Sequence, residues 1–257
     1  MAHALDGARL KIIRAQEHLK SFNDDAWRYV STEPYKIVSS IDRDCINVEG
    51  VITTEPPASL ACIVGGFVTN LRASLDYIAW ELVLLAGRSL NDPQLRRVAF
   101  PIASTHASFT NPNGASAHLA NVCGIPASTI SIIESVQPYH AGYESLNSLD
   151  LLVRTDKHRT LLLCGLFMES AGSVSIYRGN RLAWTMSGMV RTTTNLAAFG
   201  PSFLPATDYS VKVNEQPTVL VALKDIPTPG ANTFVGVLEQ IIKCVRDIVP
   251  RFEGVFV

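Results

Sequence analysis

The chain has 257 residues, 47% of them apolar and 18% charged. A chain of that length buries roughly 70–75% of the surface its unfolded form exposes, so it needs no disulfide or metal staples, and its composition excludes intrinsic disorder. Its 22 basic and 23 acidic residues nearly cancel, which excludes global attraction to a polyanion; a nucleic-acid ligand would need a local patch.

In chain order, the first element is a long amphipathic helix. Leu5, Ala8, Ile12, Ala15, Leu19, Phe22 and Ala26 recur at steps of three and four, and Pro34 ends the pattern. Residues 35–54 read as a β-hairpin, YKIVSSI and CINVEGVIT around a turn at Asp42–Asp44. A second helix runs from about Ser59 to Ala86 with Val64, Phe67, Leu71, Leu75, Ile78 and Leu82 on one face. The two helices are long enough to pair antiparallel across the hairpin.

Residues 87–125 are rich in Asn, Pro, Ser and Gly and read as a long surface excursion with little regular structure. A short helix follows Pro126 and stops before Pro138, and another begins near Ser145. From Ser170 to Asp225 the pattern alternates. GSVSIYR and RLAWTMS flank a Gly179–Asn180 turn; DYSVKVN and TVLVALKD flank Glu215–Pro217. A last helix, 231–249, carries an apolar stripe from Phe234 to Ile248. The expected class is α+β: long antiparallel helices packed as a helical core, with an N-terminal β-hairpin and a C-terminal antiparallel sheet plus final helix. We expect a single domain over 1–257, helical over about 1–169, with the sheet and last helix over about 170–257.

Five cysteines (Cys45, Cys62, Cys123, Cys164, Cys244) lie far apart without a C-x-x-C. They read as reduced, mostly buried thiols of a cytoplasmic protein, and their spacing offers no zinc site. The N-terminal stretch is too polar for a signal peptide, and the longest apolar run, LACIVGGFVTNL, is about half a membrane span. We therefore expect a soluble intracellular chain with no membrane contact.

The stretch LLVRTDKHRTLLL, 151–163, sets Arg154, Asp156, Lys157, His158 and Arg159 between leucines. Read as one helix, it is apolar above and below the charges on both faces, which marks a buried helix with an internal polar belt. Buried charges need partners. The second helix offers them in TNLRASLDYIAWEL: Arg72 and Asp76 at i,i+4, with Asn70, Ser74, Tyr77 and Glu81 on the other flank. The expectation is Asp76 or Glu81 against Arg154, Lys157 or Arg159, and Asp156 against Arg72.

The set NLRASLDYIAWEL (70–82), FPI (100–102), QPY (137–139) and LDLLVRTDKHRTLLL (149–163) resembles a widespread family of uncharacterised bacterial proteins with an NLRxxLD helix and a DKHR helix. That resemblance marks Asn70, Arg72, Asp76, Asp156, Lys157, His158 and Arg159 as signature positions and implies no activity. A second resemblance is to the helical HEPN group, which includes metal-independent ribonucleases with an Arg–spacer–His motif. Arg154 and His158 are the matching pair, closer together here than in that group's motif. The resemblance implies RNA as a substrate and a homodimer. The chemistry suits it: His158 could take the 2′-OH proton and Arg154 stabilise the developing phosphorane charge.

Other chemistry is thinly represented. Six histidines show no H-x-x-x-H or H-x-x-E pattern and read as single exposed residues, so no metal and no cofactor is expected. There is no G-x-S-x-G, and Gly65–Gly66 has no following Lys, so that pair reads as a close helix contact or a bend. Function is expected to be binding of a ligand or partner, or regulation, through a protein with a buried polar belt; the competing expectation is a HEPN-like endoribonuclease using Arg154 and His158.

Overall fold

The computed structural model describes residues 3–42, 45–158, 161, 163–167, 170–178, 181–190, 195–199, 209–213, 219–223 and 233–256. The chain divides into two compact units, one of residues 1–23, 61–161 and 229–257, the other of 24–60 and 162–228. The class is α+β, as expected. The division does not fall near residue 170, because the N-terminal hairpin groups with the C-terminal strands.

The helical unit is built on α1 (Asp6–Val30) and α2 (Ala58–Ala86). Of the first stripe Leu5, just before α1, and Ala8, Ile12, Ala15 and Phe22 are buried, while Leu19 and Ala26 are half-buried; Val64, Phe67, Leu71, Leu75, Ile78 and Leu82 on α2 are all buried. The Ser74 hydroxyl donates to the Ala8 carbonyl at 3.0 Å. Gly7 lies against the Tyr77 ring and Gly66 against the His18 imidazole. Contacts that advance along α1 retreat along α2, so this part of the two helices packs antiparallel. Gly87, at φ +68°, follows the end of α2, where the left-handed conformation stops a helix at little cost.

The segment expected to be an irregular excursion is ordered by short helices: α3 (Asp92–Leu95), α4 (His106–Phe109), α5 (Ala115–Ala117) and a π turn at His118–Val122. The Asn and Ser/Thr residues that suggested loop are the ones that cap helices. Asn91 accepts from the Gln94 amide and Thr105 from the Ser108 amide, each in a reciprocal capping box. Phe100, Ala103, Phe109, Leu119, Cys123 and Ile125 fix the segment in the core. Then come α6 (Ala127–Ser135), α7 (Ser145–His158) and α8 (Phe234–Ile248), the last capped by Thr233. A tight 3-10 stretch, Val249–Val255, follows. Edge-to-face pairs, Phe22 with Phe234 at 5.6 Å and Phe100 with Phe252 at 6.1 Å between ring centroids, tie the C-terminal part to the rest of this unit.

The strand unit contains β1 (Tyr35–Asp42), β2 (Cys45–Ile52), β3 (Leu163–Phe167), β4 (Ser170–Arg178), β5 (Arg181–Val190), β6 (Asn195–Phe199), β7 (Tyr209–Val213) and β8 (Val219–Leu223). The hairpins β1–β2 and β4–β5 form as expected, with registers Asp42↔Cys45 and Arg178↔Arg181. Their turns at 43–44 and 179–180 lie outside the described residues, as does the one expected at 215–217. Two pairings were not read from the sequence. β6 joins the N-terminal hairpin beside β2, and β7 and β8 do not form a described hairpin, since β7 pairs with β4 and β8 with β3. Strand periodicity fixes which face is buried but not which neighbour accepts the ladder. The end of α1 belongs to this unit: the Tyr29 hydroxyl donates to the Thr54 carbonyl at 2.7 Å, and burial pushes the phenol up to about 12. Gly165 leaves room for Tyr29 and Ile52, each close to where its Cβ would be.

The LLVRTDKHRTLLL stretch is not one helix. α7 stops at His158, and Leu163 opens β3. A short leucine run fits either element, and here it changes element just beyond the charges.

Candidate functional site

Three of the four signature motifs meet in one place. The guanidinium of Arg72 binds Asp76 twice, Nε to Oδ2 at 3.1 Å and Nη2 to Oδ1 at 2.8 Å. Both residues also hold Phe100: its amide donates to Asp76 Oδ1 at 2.9 Å, and Arg72 Nη2 donates to its carbonyl at 2.7 Å. From the other side, Gln137, fully buried, accepts from the Ala103 amide at 2.8 Å and donates to the Pro101 carbonyl at 3.0 Å and to the Ile133 carbonyl at 2.9 Å. An extended segment in a core has no sheet neighbour to satisfy its amides. Side chains of the NLRxxLD and QPY motifs do that for the FPI segment, and these polar residues are thereby occupied.

The fourth motif stands apart. Arg154 pairs with Asp150 in its own helix at 2.8 Å and its side chain is 66% exposed. Lys157 and His158 are exposed, and Asp156 and Glu81 are half-buried. Arg159 lies outside the described residues. Among the described residues no ion pair joins α7 to α2, so the expected pairs of Asp76 or Glu81 with Arg154 or Lys157, and of Asp156 with Arg72, do not form. The expected internal belt is likewise corrected: with the second leucine run off the helix, the charged face of α7 turns to solvent. Asp156 reaches α2 at Gly65, where a Cβ would lie 2.6 Å from its Oδ1. That is seven residues from Arg72, about 10 Å along the helix.

Gly65–Gly66 is thus the close contact its sequence suggested. Asp156 settles on the first glycine and His18 on the second, where a Cβ would lie 2.8 Å from the imidazole. Asn70 Nδ2 donates back to the Gly66 carbonyl at 2.8 Å.

Another cluster was not read from the sequence. Glu134 Oε1 accepts from the Tyr139 hydroxyl at 2.9 Å and lies 3.2 Å from His140 Nε2, while the His106 ring meets Tyr139 edge-on. The Tyr139 bond first, then His140 and His106, hold the Glu134 carboxyl below its ordinary range against some desolvation. Burial and the bond to Glu134 push Tyr139 up to about 12. Gln137, His140 and Glu134 are close in sequence, but nothing in their spacing shows that a turn folds the two flanks together. Among the described residues no group of three His, Cys, Asp or Glu side chains is arranged to hold a metal. His118, expected to be exposed, is buried, with Nε2 2.9 Å from the Gln94 carbonyl. Cys123 and Cys244 are buried thiols as expected, whereas Cys62 is exposed.

Much of the outer surface of α2 is apolar. Tyr77, Trp80 and Leu84 are 43%, 40% and 56% exposed. Ala73, Tyr77, Trp80 and Leu84 follow steps of four and three and make one stripe about 17 Å long. Thr69, exposed one turn before Ala73, closes that row with a hydroxyl. By length and composition α2 could cross a membrane; half of its most apolar window is buried inside the protein.

Fold and site define an α+β protein in which Arg72, Asp76 and Gln137 form an internal latch and whose longest helix presents an apolar outer face. No family model, curated protein or solved structure matches the chain.

Proposed function

We propose that this chain is a binding protein that engages a macromolecular partner through the outer stripe of α2. The observation that carries the reading is the exposure of Tyr77, Trp80 and Leu84 in one row. Aromatic side chains in an apolar patch are the usual anchors of an interface, and large patches of this kind mark contact sites on soluble proteins. The polar motifs support the same reading, because Arg72, Asp76 and Gln137 are engaged by backbone groups of their own chain. The test is affinity capture with the wild-type chain and a Trp80→Glu/Leu84→Glu variant as baits. A partner retained by the first and lost from the second, with both folded by circular dichroism, is the expected result. Equal retention of every partner by both baits overturns the reading.

A second reading is metal-independent RNA cleavage. It is favoured by the exposure of Arg154 and His158, one turn apart on the same side of α7. Wild-type protein and a His158→Ala variant incubated with mixed RNA in chelator decide it. Cleavage lost in the variant supports it; equal, negligible cleavage removes it.

A further inference from the structure

We infer that the partner seated on the α2 stripe is a second copy of this chain, paired about a twofold axis. This rests on the binding reading above and adds its occupant.

Charge complementarity around the stripe favours a second copy. Lys11 of α1 lies over the Tyr77 ring, its ammonium 5.7 Å from the ring centroid, with no carboxylate partner among the described residues. Glu81, one turn beyond Tyr77 and half-buried, makes no hydrogen bond or ion pair among the described residues. Both sit on the side of the stripe toward α1. Among the described residues, therefore, one chain holds a cation and a carboxylate without ion-pair partners on the same edge of one apolar face, displaced along the helix.

A twofold axis perpendicular to α2 and level with Ala79 leaves that edge on the same side in both copies and reverses the helix direction. Tyr77 of one copy then lies level with Glu81 of the other, so Lys11 faces the second copy's Glu81, and the same pair forms again by symmetry. Trp80 meets Trp80 near the axis, and Leu84 falls beside Ala73, whose small side chain admits it. Isologous pairing of this kind needs a self-complementary patch, and a patch with one charge of each sign at mirrored heights meets that requirement. A lipid surface would leave Glu81 desolvated against hydrocarbon, with nothing to offset its charge.

Sedimentation velocity of the full chain over a concentration series tests the inference. The wild type is expected to dimerise, and Trp80→Glu/Leu84→Glu to be monomeric. Lys11→Glu and Glu81→Lys are each expected to raise the dissociation constant roughly tenfold, and the Lys11→Glu/Glu81→Lys double variant to recover most of it. The charge variants leave the apolar core untouched, so their reading does not depend on the stripe variant folding. A monomeric wild type, a dimer indifferent to Trp80 and Leu84, or a double variant as weak as the singles overturns the inference, as does binding of phosphatidylcholine vesicles that Trp80→Glu/Leu84→Glu abolishes. A monomeric wild type with stripe-dependent capture of another protein overturns the second copy alone and leaves the binding reading standing.

Discussion

Asp76 accepts the backbone amide hydrogen of Phe100 at 2.9 Å, across 24 positions of sequence, while Arg72 holds both that carboxylate and the Phe100 carbonyl. One carboxylate thus completes a guanidinium and a backbone donor together. Replacing Asp76 by Ala leaves both donors short of an acceptor in a partly buried place, which costs about 1–3 kcal/mol. Urea denaturation should show a lower midpoint with an unchanged slope. A midpoint within error of wild type would remove the latch.

Gln137 makes three hydrogen bonds from a fully buried side chain. Gln137→Ala frees the Ala103 amide and is expected to destabilise by roughly 2–3 kcal/mol, a buried unsatisfied donor plus a small cavity. Gln137→Glu should be worse, because a carboxylate would face the Pro101 and Ile133 carbonyls with no hydrogen to donate. Chemical denaturation of the two variants side by side checks the order; a more stable Glu variant would contradict the assignment of donor and acceptor.

Gly65→Ala sets a methyl group 2.6 Å from Asp156 Oδ1 and should loosen the contact of α7 with α2. An Asp156→Ala change in the same chain relieves the clash, so the double variant should be more stable than Gly65→Ala alone. Amide hydrogen exchange over 145–158 reports the loosening directly. Strictly additive effects of the two changes would show that the helices do not touch there.

The Glu134 cluster predicts a pH dependence. A carboxyl held below its ordinary value of 4.5 adds stability above that value, and the contribution is lost as pH falls through the lowered folded value. Tyr139, raised to about 12, adds stability below its ordinary 10.0, lost as pH climbs toward the folded value. Tyr139→Phe shrinks the alkaline limb, to which Tyr29 also contributes, and shrinks the acid one. Stability measured across both ranges for wild type and Tyr139→Phe should converge at low pH and separate near neutrality; parallel curves would refute the coupling.

Helices were the legible part of the sequence. Ala58–Ala86 and Ser145 onward could be drawn from periodicity because a stripe of Leu, Phe and Val at steps of three and four has one way to be buried. The glycine pair could be read too, since two missing Cβ atoms in mid-helix invite a neighbour close. What misled was LLVRTDKHRTLLL: three leucines carry no period of their own, and extending the helix through them turned an exposed basic end into an internal belt.

By itself, then, the sequence determined the α+β class, most of the buried stripes of α1 and α2, six of the eight described strands (not β3 or β6) and the residues worth examining, because local period and side-chain size act on each element separately. Only the tertiary structure decided the partners. Arg72 and Asp76 turn to the amide and carbonyl of a remote backbone segment, not to the opposite charges of α7, and β6 and β8 find neighbours far along the chain. A buried ionic group is satisfied by whichever donor or acceptor the packing brings within about 3 Å, and no residue pattern records which one that is.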